Sequence, residues 1–279
     1  MRLDIFRQLP LTYPGAGKWR YVRDADKEVY RMASRDYSIF GRFKFDYKPV
    51  AVKFLLNKPS GMDPFEGNAP ICRMFKEAQD RAPFYAGKDN FACVDTLVLG
   101  MEDPDAVTES GQIGAKERIY QEARANARIY GHIKRIPRNT VRYVAFSSLD
   151  DLSFSPDLLI ITAQPFQAEI LFRALSYSTG KPVSSVCTPV LMCGWIFSYP
   201  YVTGGMNYVV TGINYGMKNQ KTLPEGLFLI SVPFDVIPML IENLGELEWE
   251  LPITRMSNEE RSEYAVRVMG DIRQEYEDG

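Results

Sequence analysis

Apolar side chains at Val50, Val52, Phe54 and Leu56 are separated by Ala51, Lys53 and Leu55, a period of two that predicts a strand after Pro49. Val141–Ser147, Leu158–Thr162 and Leu227–Val232 read as further strands. Helical spacing takes over at Ile71–Asp80, where Ile71, Met74, Phe75 and Ala78 share a face. Gly114–Tyr130, rich in Ala, Glu, Arg and Lys, has good helix composition. Pro165–Ser178 predicts a helix with proline at an early position, stopped by Gly180 and Pro182. Val236–Leu244 predicts another. Ser257 with Glu260 three residues on makes a capping box for a last amphipathic helix to about Tyr276.

Strands and helices are interspersed without a strict βαβ rhythm. That order points to an α+β fold, a mixed β-sheet packed with helices in a single compact domain. The expected partition is a partly helical N-terminal segment over 1–44, a core domain over 45–256 and a C-terminal helix over 257–279. No internal repeat or low-complexity tract interrupts it.

The chain has 279 residues, 46% apolar and 24% charged, with 33 basic against 35 acidic residues. A chain of this size buries a core large enough to need no disulfide. A net charge of −2 argues against a nucleic-acid partner. Early charges at Arg2, Asp4 and Arg7 exclude a signal peptide, and no apolar run nears the roughly 20 residues of a membrane span. The expectation is a cytoplasmic protein with no membrane partner, and a homodimer on general frequency.

Several motifs fail on inspection. Gly15-Ala16-Gly17-Lys18 has Trp19 where a phosphate loop needs Ser or Thr. A single histidine, His132, excludes HExxH zinc chemistry, and no GxSxG elbow accompanies it. The aromatics from Trp195 to Tyr215 have no lysine or arginine among them, so they suit a sheet or an organic ligand rather than base stacking. Within that run Gly204 and Gly205 either allow close approach of a ligand or form a hairpin turn.

The four cysteines, Cys72, Cys93, Cys187 and Cys193, lack the CxxC spacing of zinc ribbons and thioredoxins. In a reducing compartment they are free thiols or metal ligands. Spacing leaves small buried hydrophobes and converging ligands both open, although Cys72, Cys93 and Cys193 each fall at the edge of an element.

The order of features resembles a family. Lys48-Pro49-Val50-Ala51-Val52-Lys53-Phe54 is followed by Cys72 with Lys76 and Ala78, then Cys93 with Leu99-Gly100. Pro156-Asp157-Leu158-Leu159, Gln164-Pro165, Gln167-Ala168, Tyr177 to Gly180, and Cys193 seven residues before Pro200 complete it, with Gly204 and Asn207 beyond. Over residues 45–245 the chain is similar to the uncharacterised ArCR family, domain of unknown function 169, common in anaerobic archaea and bacteria. The resemblance implies recurring cysteines at Cys72, Cys93 and Cys193. A further family cysteine would fall within Thr211–Tyr215, where this chain has Gly212 and Ile213; Cys187 is the additional one here.

The recurring cysteines implied by the resemblance favour a thiolate site, and the leading expectation is an enzyme of anaerobic metabolism that holds an iron–sulfur cluster, a 4Fe-4S centre among the forms considered, on Cys72, Cys93 and Cys193. Cys187 would be a fourth ligand unless one iron is left open. Tyr199, Tyr201 and Asn207 would line the pocket of a small organic substrate, beside a backbone approach at Gly204 and Gly205. Redox and lyase or dehydratase chemistry are both open. The alternatives are a non-catalytic protein that binds a cofactor or small molecule, and a metal-free enzyme with a cysteine nucleophile.

Overall fold

The alternation at 50–56 becomes β1 (Val50–Leu55), and β1 is the middle of a seven-stranded sheet. The computed structural model describes residues 36–278. Most of the expected 1–44 segment, like the rejected Gly15–Lys18 motif, lies outside the described residues. The other strands are β2 (Asp63–Pro64), β3 (Phe84–Gly87), β4 (Tyr143–Ser148), β5 (Leu158–Ala163), β6 (Asn207–Val210) and β7 (Phe228–Pro233). Their order is β2-β3-β4-β1-β5-β7-β6. Among the described residues only the β2–β3 strand pair is parallel; the other pairs are antiparallel, with Val52 opposite Phe146 on β4 and Ala51 opposite Leu159 on β5. The fold is α+β, as the element order predicts.

Period two then sorts side chains onto two faces. Leu159, Ile161, Ala163, Ile230 and Val232 point to one side. There they meet α3 (Pro165–Tyr177) through Ala168, Leu171 and Ala174, and α4 (Ile237–Glu246) through Ile237, Leu240 and Leu244. Val50, Val52, Phe84, Val144, Phe146, Leu158 and Ile160 point to the other. That face is covered by α1 (Ile71–Glu77), through Ile71, Met74 and Phe75, and by Leu191–Phe197. With both faces covered, β5 is buried at every position.

Local signals in the sequence act as expected at several element ends. Pro165 sits in the first turn of α3, and Gly180 just beyond the helix adopts φ +61°. The Ser257 amide donates to Glu260 (2.7 Å) and the Glu260 amide donates to Ser257 Oγ (3.2 Å), closing the capping box of α5 (Asn258–Asp278). No helix among the described residues is long and apolar enough to cross a membrane.

The 114–130 stretch departs from its composition. It forms a short turn at Gln112–Lys116, reverses at Arg118 (φ +58°), and resumes as α2 (Ala123–His132). Two glycines make the reversal possible. A Cβ on Gly111 would lie 2.2 Å from the Ala123 carbonyl oxygen, and one on Gly114 would lie 2.6 Å from the Asn126 side chain. Their absence of side chains lets the turn dock on α2, which helix propensity alone does not anticipate.

Candidate functional site

Three of the four cysteines meet on the irregular face of the sheet. Cys72 is the second residue of α1. Cys93 ends the loop before a single helical turn, Asp95–Val98. Cys193 immediately precedes a π-helical turn, Gly194–Ser198. That turn packs closely on the end of α2, where a Cβ on Gly194 would come within 2.8 Å of Ile133 Cδ1. Cys72, Cys93 and Cys193 line one cavity of about 290 Å³, together with Asp95, Asn126 and Tyr130. The cavity's wall also includes Asn214 to Met217 with Asn219 and Gln220, tied down by the Tyr215 amide donating to the Pro189 carbonyl (2.6 Å).

Asp95 is 2% exposed and anchors this arrangement. Its Oδ2 accepts the Ile71 amide (3.0 Å), so a carboxylate from the helical turn Asp95–Val98 satisfies an orphan donor at the start of α1. It also shares a hydrogen bond with Cys193. Burial pushes its carboxyl up to about 6, against the lowering effect of those two bonds. The sulfurs respond in the same direction. Burial lifts the Cys72 thiol to about 11, although the Thr222 hydroxyl donates to its Sγ (3.8 Å). Cys193 is held well above the ordinary thiol range by burial and then by the Asp95 carboxylate. Cys93 lies exposed at the cavity mouth, yet is enclosed enough for desolvation, then Asp95, to raise it. The three thiols are near enough to act on one another electrostatically. Tyr130 is raised by burial first and then by Cys93 and Cys193.

Among the described residues no lysine, arginine or histidine lines the cavity, whereas Asp95 and Glu117 do. The interior is therefore built of groups that become anions and contains no cation to receive them. Buried charges in proteins are paired or coordinate metals.

The remaining expectations about the site separate from this cavity. Cys187 is exposed and does not line it. Asn207 is 1% exposed, and its amide is fully used. Oδ1 accepts the Val186 amide (2.9 Å), while Nδ2 donates to the carbonyls of Val186 (2.9 Å) and Trp195 (2.8 Å). Tyr201 packs on Phe54 with ring centres 4.5 Å apart, and Tyr199 packs on Trp195 at 6.2 Å. Neither tyrosine lines the cavity. Gly204 (φ +67°) caps the turn Tyr199–Thr203, and it and Gly205 have open space or only Thr203 beside them. The structure thus places these five positions outside the thiol cavity. His132 is exposed in the last turn of α2, as its place after a helical stretch suggests.

Sequence reasoning missed Asp95, Asn126 and Tyr130. One signal for Asp95 was present: it is the lone acid in the apolar run Cys93-Val94-Asp95-Thr96-Leu97-Val98. An acid there must be buried and partnered, or the run cannot enter a core.

A cluster can be tested against this donor set. Among the described residues, no three His, Cys, Asp or Glu side chains stand close enough together to hold a single metal ion. A polynuclear cluster spreads its ligand sulfurs around a larger core, and thiolates are its usual ligands. Three thiols and a buried carboxylate line this one cavity.

Fold and cavity together define an α+β protein that carries a sulfur-lined interior pocket on one face of an almost wholly antiparallel sheet. The family model of the uncharacterised ArCR proteins, DUF169, matches residues 41–243, most of the chain. The chain belongs to that family. No curated protein and no solved structure matches it.

Proposed function

We propose that the chain binds an iron–sulfur cluster through Cys72, Cys93 and Cys193 and uses the rest of the cavity for a small organic substrate. It would do so as a cytoplasmic enzyme of anaerobic metabolism. The observation that supports this reading is the cavity lining: three thiols and a buried carboxylate, with no basic side chain among the described residues. Such a lining repels anions and gains from an electropositive centre, whose binding deprotonates the thiols. A bound cluster would supply electron transfer or Lewis-acid polarisation of a substrate oxygen.

The chain's own residues then have distinct tasks. Asp95 holds the start of α1, and with it Cys72, by accepting the Ile71 amide. Tyr130 stands beside Cys93 and Cys193 with a phenol kept protonated by burial, so it can donate a proton inside the cavity. Cys187, outside the cavity, is no part of the ligand set. The metal-free nucleophile fares worse on the same geometry. A reactive cysteine needs a lowered pKa from a cationic neighbour, and Cys72, Cys93 and Cys193 are all raised.

The test is anaerobic purification followed by reconstitution with ferrous iron and sulfide, read by iron and sulfide analysis and by absorption and electron paramagnetic resonance. A brown protein with near-stoichiometric iron, lost in a Cys72→Ser, Cys93→Ser, Cys193→Ser variant and kept in Cys187→Ser, is the expected result. A folded, colourless protein that takes up neither iron nor sulfide overturns the proposal. Turnover assays with the loaded protein then separate an enzyme from a carrier.

A further inference from the structure

Among the described residues, the 21-residue helix α5 has no extended contact with the sheet or with another helix. Most helical stability in proteins comes from packing an apolar face, so α5 lacks its usual support within one chain. Its sequence nevertheless carries a seam. Asn258, Ser262, Ala265, Met269, Ile272 and Tyr276 follow one another at alternating spacings of four and three, the a and d positions of a coiled coil over three heptads. All six are exposed, and so is Val266 beside them. Glu260, Glu263, Arg267 and Gln274 occupy the opposite side.

The pattern selects its own partner. Laid antiparallel on a second copy, α5 sets Met269 against the partner's Ala265, Ile272 against the partner's Ser262, and Tyr276 against the partner's Asn258. Each layer then joins a large side chain to a smaller one. On the flanks, Arg261 faces the partner's Glu275 and Glu259 faces the partner's Arg273, while Val266 and Val268 each meet their own copy at the centre. The Arg261 Nε is engaged on the Met256 carbonyl (3.1 Å), which leaves its two terminal nitrogens for a carboxylate. A parallel pairing fails on both counts. It stacks alanine on alanine and tyrosine on tyrosine, and it sets Arg261 and Arg273 beside valines.

We propose that α5 is a self-association surface, through which two copies of the chain form an antiparallel two-stranded coiled coil. The contact is isologous, so each pair occurs twice in the dimer. It uses none of the residues that line the thiol cavity and does not depend on what that cavity binds.

Sedimentation equilibrium of the full chain at micromolar concentration is expected to give twice the 31.8 kDa of one chain. Met269→Glu, an exposed position in one chain, is expected to give a monomer. Glu275→Arg sets arginine against the partner's Arg261 at two places and is expected to raise the dissociation constant about tenfold. Adding Arg261→Glu to it is expected to restore the wild-type constant. Both changes suit the helix dipole, so weakening by Glu275→Arg does not come from fraying of α5, and circular dichroism checks the fold. A dimer indifferent to Met269→Glu or to Glu275→Arg overturns the proposal, as does one that the double variant fails to restore. A wild-type monomer overturns it too; a lower melting temperature of Met269→Glu in that monomer would show the face covered from within the same chain.

Discussion

Replacing Asn207 by alanine removes three hydrogen bonds at once, to Val186 N, Val186 O and Trp195 O, at 2.8–2.9 Å. The residue is 1% exposed, and the bond to Trp195 is buried. At about 1 kcal/mol net for each bond, the loss is about 3 kcal/mol. It falls on the clamp that ties the segment before Pro189 to the π-helical turn after Cys193. Urea denaturation followed by fluorescence measures it, with the midpoint lowered and the slope unchanged. Asn207→Asp sharpens the test. Its carboxylate still accepts the Val186 amide but faces two carbonyl oxygens that had received N–H donors, so it should cost more than alanine. A loss below about 1 kcal/mol in Asn207→Ala, or an aspartate milder than alanine, would refute the clamp. A variant of native stability that failed only in turnover would return Asn207 to catalysis.

Two glycines should differ in thermal melts. Gly111→Ala places a Cβ 2.2 Å from Ala123 O and 2.5 Å from Ala127 N at φ +70°, and should cost about 3 kcal/mol or more. Gly204→Ala meets open space at φ +67° and should cost only about 1 kcal/mol, with no change in ligand uptake. In the metal-free chain, iodoacetamide followed by peptide mass spectrometry should modify exposed Cys187 first and buried Cys193 last; the reverse order would place Cys193 at the surface. Asp95 also sets a pH dependence in that form. Its folded carboxyl, at about 6 against an ordinary 3.8, holds its proton longer than the unfolded one, so its contribution is greatest at low pH. That contribution of about 3 kcal/mol is lost as pH rises from 4 to above 6. Asp95→Asn should flatten this part of the stability–pH curve, and an unchanged curve would show that Asp95 does not carry it.

Local pattern was enough for most of the framework. Period two at Val50–Leu56 and the apolar runs at Leu158 and Leu227 became β1, β5 and β7, and proline, glycine and the Ser257–Glu260 box marked ends where they were expected. These signals depend on neighbours in the chain, which is why they are legible there. Gly114–Tyr130 shows the limit, since helix-forming residues were overridden by close docking at Gly111 and Gly114.

The site divides along the same line. Residue type singled out cysteines, and three of them share a cavity, but spacings of 21 and 100 residues cannot say which sulfurs face each other. Sheet order brings the α1, Asp95 and Cys193 segments to one face and leaves Cys187 outside. Tyr199, Tyr201, Gly204, Gly205 and Asn207 looked like site residues because their types suit binding. Tertiary packing places them outside the thiol cavity, in ring contacts, a cap and a backbone clamp. The sequence by itself therefore determined the four longest strands, several helix ends and the supply of soft ligands. Only the tertiary structure decided which donors are buried together, because desolvation and partner choice belong to the packed interior and have no counterpart along the chain.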